Sequence, residues 1–532
     1  MQNTQLLAAA FSAVIFAIAA PAAERDAADV VVYGATPTGV IAAVAAAREG
    51  KSVILFDPAR HVGGMVTGGL GATDHGRREA IGGFSREFFD RVREDYTKEY
   101  GPGSPQVKDC SDGFYFEPHV ASRVFWAMLR EAKIEPRLDR PLAELVKEGS
   151  RIVAVRTATG DEFRAKVFID ATYEGDLMAK AGVKYHAGRE GREKYGESLA
   201  GVQARSPAHQ WPVKVNALGP TGQPVPFVVA GPLQPAGTGD HKVQAYNFRL
   251  CMTRVPANRV AWPKPANYDP SRYELLARYL AAVPTLKFTQ LCNPRKMPNG
   301  KTDTNNNGAF STDHIGASDD YPEADASTRQ RIRQEHIDYT QGFFYFLAHD
   351  RRVPSVLQAE ANSWGLARDE FCDTANWPPQ LYVREARRMI GACVMIQSDF
   401  QEHRDKPDSV GLGSYNADSH HCQRIPLPDG SALNEGDFQV SVRPYAIPYR
   451  CLTPKPDECG NLLVPVCCSA SHVAYGTIRM EPVYMILGHA SGMAAALGCD
   501  GNGSVQQVSI SELQRKLRNQ KAVLDPAALP PK

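Results

Sequence analysis

The chain has 532 residues, with 60 Lys plus Arg against 59 Asp plus Glu, for a net charge of +1. That balance excludes a nucleic-acid binder held by bulk charge, because no basic excess remains to neutralise phosphates. A hydrophobic fraction of 43% excludes a disordered chain. The length exceeds one domain of roughly 100–200 residues, so two or more lobes are expected.

Leu6 to Ala20 form an apolar run, followed by the small residues Ala20-Pro21-Ala22. This pattern predicts a secretory signal peptide over residues 1–22, and hence a periplasmic or secreted protein. The run is shorter than the ~20 residues a spanning helix needs, so no stable membrane insertion is expected after cleavage. Export would permit disulfides among the eleven cysteines. A Cys451–Cys459 bridge is open, and buried free thiols are expected for most of the rest. No cysteine pair has CxxC spacing and no Cys/His cluster has zinc spacing, so no metal site is predicted.

Asp29 to Tyr33 is a β-branched run that reads as a buried strand. It enters the turn Gly34-Ala35-Thr36-Pro37-Thr38-Gly39, then an Ala/Val helix from Val40 to Glu49 that Gly50 stops. Ser52 to Phe56 is a second strand, ending at Asp57. This is a βαβ unit with an acid at the tip of its second strand. The turn lets the backbone and a helix N-terminus approach a pyrophosphate, and the acid can accept hydrogen bonds from a ribose. Gly34, Thr36, Pro37, Gly39 and Asp57 are therefore candidate dinucleotide contacts. Thr36 stands where the usual fingerprint has its middle glycine.

A second glycine loop, His61 to Gly69, follows at once. Nicotinamide domains do not usually need one there, whereas many flavoproteins have one close to bound FAD. Gly63, Gly64 and Met65 are its candidate contacts, and a histidyl–flavin bond through His61 or His75 is conceivable. Arg151 to Thr157 and Glu162 to Ile169 read as strands, the second leading to Asp170-Ala171-Thr172. Ala171 and Thr172 join the candidate cofactor contacts. Asn461 to Val466 reads as another strand, leading through Ser471-His472 to a helix from Glu481 to Leu497. That helix carries Gly488 and Gly492, which permit close approach of a flat ligand or of another backbone. Gly488 is a further cofactor candidate.

With these motifs the chain resembles a family of FAD-dependent oxidoreductases with a Gly-x-Thr-Pro-x-Gly fingerprint, many of them secreted bacterial proteins. The resemblance rests on Gly34 to Gly39, Gly63-Gly64-Met65, Asp170 to Asp176 and Arg479-Met480-Glu481-Pro482, with Lys301 to Phe310 and Gly411 to His420 also similar. It covers most of residues 29–497. It implies FAD as cofactor and an α/β fold: a Rossmann-like FAD-binding domain with an inserted α+β substrate lobe. The FAD domain is expected at 29–200 and 441–500, the lobe at 201–440 and a C-terminal tail at 501–532. Helices are expected at Ala326 to Ala348, Leu381 to Gln397 and Ile510 to Gln520, and the Asn/Asp-rich segments from Asp303 to Asp320 read as loops.

Three polar clusters are candidates for chemistry. In Tyr415 to His421, the i, i+2 spacing puts Asp418 and His420 on one side of an extended segment, where the acid would orient the ring as a base. His472 with Arg479 and Glu481 forms the second, in which Arg479 would meet the reduced flavin or simply pair with Glu481. The third, Lys301 to Asn307 with Asp313 and His314, suits a hydroxyl-rich ligand. His420, Asp418, His472 and Arg479 are the catalytic candidates. The expected reaction is FAD-dependent oxidation of a small polar organic molecule, such as a carbohydrate, with an unidentified electron acceptor and no nucleic-acid partner. The alternative is a non-catalytic ligand-binding protein with a vestigial dinucleotide fold. A thiol–disulfide flavoenzyme is disfavoured, because residues 57–75 contain no Cys.

Overall fold

The computed structural model describes residues 25–203 and 205–531, so the predicted leader lies outside the described residues. The chain opens with strand β1 (Arg25–Tyr33), helix α1 (Pro37–Arg48) and strand β2 (Val53–Phe56). Three further strands follow: β3 (Leu142–Glu148), β4 (Arg151–Thr157) and β5 (Glu162–Asp170). They form one sheet in the order β2-β1-β5-β4-β3. β1 is parallel to both β2 and β5, and β3 and β4 add an antiparallel edge. Leu462–Leu463 returns from near the far end of the chain and pairs in parallel with Phe168–Ile169 of β5. This sheet is therefore assembled from both ends of the chain.

Val30, Val31 and Val32 are fully buried. A continuous apolar strand is what a sheet covered on both faces requires. One face carries α1 and the helix Glu481–Asp500, which cross at very short range. A Cβ on Gly488 would lie 2.4 Å from the Thr38 carbonyl oxygen, and one on Gly492 2.2 Å from that of Ala42. Both glycines are thus explained by backbone packing on α1, and Gly488 is reassigned from cofactor contact to helix crossing. Among the described residues, Glu481–Asp500 is also the one helix long and apolar enough to cross a membrane, but its apolar window is 94% buried inside the molecule.

The inserted segment builds its own antiparallel sheet of five strands, with Lys301–Asn306 paired on both sides, to Leu250–Thr253 and to Cys292–Lys296. This corrects the loop expected there. Lys, Asp and Asn have low strand propensity, but two flanking ladders and burial of the side chains override it. The helix expected at Leu381 to Gln397 is also absent; that stretch is mostly irregular, with a short strand at Arg388–Met389, and a helix spans only Gln397–Gln401. Arg384, Glu385, Arg387 and Arg388 are all buried, and each reaches a different partner. Arg384 pairs with Asp313, Glu385 with His472, Arg387 with Asp176 and Arg388 with Glu190. A non-helical backbone can send consecutive side chains to opposite sides, which one helix face cannot. The aromatic-rich helix forms as Ala326–His349, capped by Asp325, whose carboxylate accepts the Thr328 N–H. All eleven cysteines are free thiols, Cys451 and Cys459 included.

Candidate functional site: a dinucleotide cradle beside a polar cleft

The first turn closes through Thr36. Its hydroxyl accepts the Gly39 N–H at 3.2 Å, capping α1, and donates to the Ala171 carbonyl at 2.7 Å. This is the reason a threonine replaces the middle glycine: one hydroxyl caps the helix and ties the turn to the end of β5. Pro37 occupies the first turn of α1, where its missing N–H is no loss. Gly34 has φ +102°, and a Cβ there would meet the Ala171–Thr172 backbone at 2.9 Å. Asp57 is 7% exposed and accepts the N–H groups of Ala35 and Ala59. Burial pushes its carboxyl up to about 7, despite those two bonds.

The second glycine loop folds back onto the first, with the Gly63 N–H donating to the Ala35 carbonyl at 2.7 Å. Gly63 and Gly64 both have positive φ, and a Cβ on Gly64 would lie 2.6 Å from the Tyr173 hydroxyl. That hydroxyl accepts the Met65 N–H at 3.0 Å and donates to Glu481 Oε1 at 2.7 Å. One tyrosine therefore links the glycine loop, the segment after β5 and the start of the C-terminal helix. The Thr38 hydroxyl and Glu481 Oε2 are buried without a hydrogen-bond partner. Orphaned polar atoms facing glycine turns at a helix N-terminus are the features a bound dinucleotide would satisfy, and the residues present fit FAD. His61 bonds to Thr67 and His75 to the Gly76 carbonyl.

Beside this cradle lies a polar cleft of about 180 Å³. Asp74 enters it from the FAD domain. Arg479 and Met480 enter immediately before Glu481, and His209, Asn305, Asp418 and His420 come from the inserted lobe. The sequence's three separate polar clusters meet here in part. His420 Nδ1 lies 2.8 Å from Asp313 Oδ2. Asp418, the expected partner, lies 3.7 Å from His420 Nε2 and instead binds Arg479 at 3.0 Å. The strand Ala417–Ser419 ends one residue before His420, and the acid that orients the ring is Asp313.

Asp313 is itself held by Arg384 at 2.9 Å. Burial favours its neutral form, but Arg384 and His420 outweigh burial and keep the carboxyl below the usual carboxylate range. An ionised carboxylate only accepts, so His420 carries its proton on Nδ1 and leaves Nε2 bare. Burial, aided by Arg384, lowers the ring's pKa to about 4 against the pull of Asp313. The imidazole is therefore neutral near pH 7 and able to take a proton.

Arg479 does not pair with Glu481; it contacts Asp418 and the Tyr382 hydroxyl, and its Nε is a buried orphan. His472 is not in the cleft. It is 1% exposed, with Nδ1 at 2.9 Å from Glu385 and Nε2 at 3.3 Å from Ser419 Oγ. It ties Glu385 to Ser419 and does not line the cleft, which favours a structural role. Lys301 and Asp303 are also structural. Lys301 is buried among Glu117, Asp369 and Glu370 at 2.7–2.8 Å. Asp303 binds Arg249 and accepts the Ala72 N–H. Glu117, His119 and Glu370 have metal-ligand spacing, but Glu117 and Glu370 already hold the Lys301 ammonium.

Sequence reasoning missed His209 as a cleft residue and Asp313 as the orienting acid. No local signal marks either. His209 follows an ordinary Ser-Pro-Ala turn, and Asp313 reaches His420 across 107 residues.

A family model described as FAD dependent oxidoreductase matches residues 29–517. No curated protein matches the chain. A flavin monooxygenase mutant from Stenotrophomonas maltophilia is 20% identical over 34% of this chain and 45% of its own, with a TM-score of 0.21. An L-amino acid deaminase from Proteus vulgaris is 15% identical, covering 33% and 54%, with a TM-score of 0.25. An L-proline dehydrogenase from P. horikoshii is 17% identical, covering 32% and 59%, with a TM-score of 0.23. The chain thus spans about half the length of these proteins, and no substrate is carried over from them.

Proposed function

This chain belongs to the FAD-dependent oxidoreductase family, and from that premise we propose that it oxidises a neutral, hydroxyl-rich organic substrate, a carbohydrate or related polyol, in the cleft beside the cradle. Family membership replaces the non-catalytic alternative. The observation that carries the reading is the Asp313–His420 pair on the wall of a polar cleft that begins one residue before Glu481.

Bound FAD would be held by Gly34 to Gly39, Asp57, Gly63 to Met65 and Thr172, and would supply the two-electron acceptor. The protein's own part is binding, orientation and proton transfer. His420 Nε2 receives the hydroxyl proton while Asp313 steadies the ring and stabilises its charged form. The carbon loses its hydrogen with the bonding pair, and the C–O bond becomes a carbonyl.

Charge pairing supports a neutral substrate. Arg295 in the cleft is matched by Asp74 at 2.9 Å, and Arg479 by Asp418 at 3.0 Å. With the charges compensated, the remaining polar lining is amide, phenol and imidazole from Asn293, Asn305, Gln439, Tyr382, Tyr415 and the two histidines. Such groups read hydroxyls by donating and accepting in turn. The apolar leader read over residues 1–22 adds the proposal that the reaction takes place outside the cytosol, with an electron acceptor still to be identified.

Anaerobic bleaching of the flavin by a panel of sugars, polyols, alcohols and amines tests the reading. Bleaching by a polyhydroxylated member, slowed by His420→Asn with FAD content retained, is the expected result. Bleaching by amines alone, or by no member, would overturn it.

A further inference from the structure

His209 is the one cleft residue whose backbone and side chain are both constrained in an unusual way. Its φ is +49°, in the left-handed region that non-glycine residues seldom occupy. The strained turn is pinned from outside: the His209 carbonyl accepts Asn434 Nδ2 at 3.0 Å, and the Ala208 carbonyl bonds His421 Nε2 at 3.0 Å. Strain held by surrounding bonds clusters at sites where one side chain must be aimed.

The ring it aims is fixed in tautomer. His209 Nδ1 lies 3.0 Å from the Gly308 backbone nitrogen, which can only donate. Nδ1 must therefore be the acceptor, and the proton of the neutral ring sits on Nε2. The ring lies parallel to that of His420, with centroids 6.4 Å apart and planes 10° from parallel. His420, held by Asp313, has the opposite tautomer. The cleft wall thus carries two neutral imidazoles side by side, one with a bare Nε2 and the other with an Nε2–H. Both rings line the same cleft, so one bound substrate can reach the two of them.

We propose that His209 is a second catalytic residue, donating its Nε2–H to the substrate oxygen whose proton His420 removes. Resting on the oxidoreductase reading above, this names the substrate as one whose reacting oxygen both donates and accepts: a C–OH group and not an ammonium. As the hydroxyl loses its proton to His420, negative charge builds on the oxygen. A donor already fixed in place stabilises that charge without having to turn toward it. The bond to His209 persists when the oxygen has become a carbonyl, and no proton leaves His209.

Two substitutions separate this role from packing. His209→Asn tolerates the left-handed backbone and can offer Oδ1 to the Gly308 N–H, but has no donor where Nε2 stood. His209→Gln extends an amide N–H toward that point. Holoprotein of each is compared with wild type by FAD content, thermal midpoint, and anaerobic flavin-bleaching rate as a function of polyol concentration. Expected for His209→Asn are unchanged FAD content and a saturating bleaching rate lower by about 10²-fold, with the half-saturating concentration changed far less. Expected for His209→Gln is recovery of a measurable part of that rate. A His209→Asn rate within about threefold of wild type, or equal losses in Asn and Gln, overturns the proposal. Wild type that no polyol bleaches overturns the oxidoreductase substrate reading and this inference with it. Bleached wild type with an unaffected His209→Asn overturns this inference alone.

Discussion

Asp313 Oδ2 lies 2.8 Å from His420 Nδ1, and the same carboxylate binds Arg384 through its other oxygen at 2.9 Å. One buried acid therefore fixes the tautomer of the proposed base and neutralises a fully buried arginine. Removing its charge should affect both.

For Asp313→Asn, the amide can no longer enforce the Nδ1–H tautomer or stabilise a protonated ring. Bleaching by substrate should slow by about 10²-fold or more, the range ascribed to a positioned general base. Arg384 would lose its ion pair, so the thermal midpoint should also drop. Full bleaching activity in a folded, FAD-loaded Asp313→Asn protein would show that His420 does not act as the base.

The crossing of α1 with Glu481–Asp500 leaves no space at Gly488, where an added Cβ would lie 2.4 Å from the Thr38 carbonyl oxygen. Gly488→Ala should force the helices apart and cost about 1–3 kcal/mol, the usual penalty for overpacking. Denaturant unfolding measures it. Because Thr38 opens the cradle, weaker FAD retention should accompany the loss. An unchanged midpoint would show that the crossing adjusts freely.

Burial pushes the Glu481 carboxyl up to about 8, against a single bond from Tyr173. Between its ordinary value of 4.5 and about 8, the unfolded chain releases this proton while the folded chain keeps it. The unfolded state then binds fewer protons, so stability falls as pH rises through that window. Asp57, raised to about 7 for the same reason, acts in the same direction. Glu481→Gln keeps an acceptor for the Tyr173 hydroxyl and has nothing to titrate. Its stability should fall less than wild type's between pH 5 and pH 8 in thermal unfolding of the purified protein. Identical slopes would place the Glu481 pKa near its ordinary value.

Lys301 holds Glu117 and Glu370, each 1% exposed. Lys301→Met would leave two buried carboxylates without that cation, and losing one partner of a buried pair costs about 3–5 kcal/mol. With the ammonium already bound by both glutamates, a chelator should leave wild-type stability unchanged. A drop in the midpoint on chelation would show that a metal competes for the site.

Much of the dinucleotide domain was legible in the sequence because its signals are local. Val30 to Val32, the Gly34 turn and Asp57 announce a strand, a tight turn and a strand tip within thirty residues. β4 and the helix after Met480 were also legible from their local sequence. The run from Leu381 to Gln397 misled because its composition suits a helix, while each of its charged residues has a distant partner. The Lys301 strand misled in the opposite sense, since its polar residues are stabilised by ladders and ion pairs that only the fold supplies. Gly488 was correctly read as a point of close approach, but only the structure could say that Thr38 is what approaches.

By itself the sequence determined the cofactor class, the fold of the sheet and the presence of polar clusters with the right chemistry. These depend on short-range geometry, which adjacent residues encode. The tertiary structure decided how the clusters combine: Asp313 and not Asp418 behind His420, His472 shut away with Glu385, and His209 brought beside His420. Those outcomes depend on which side chains meet from segments far apart in the chain, such as Asp313 and His420, 107 residues apart. Contact of that kind is set by the packing of whole elements and leaves no mark on the local pattern.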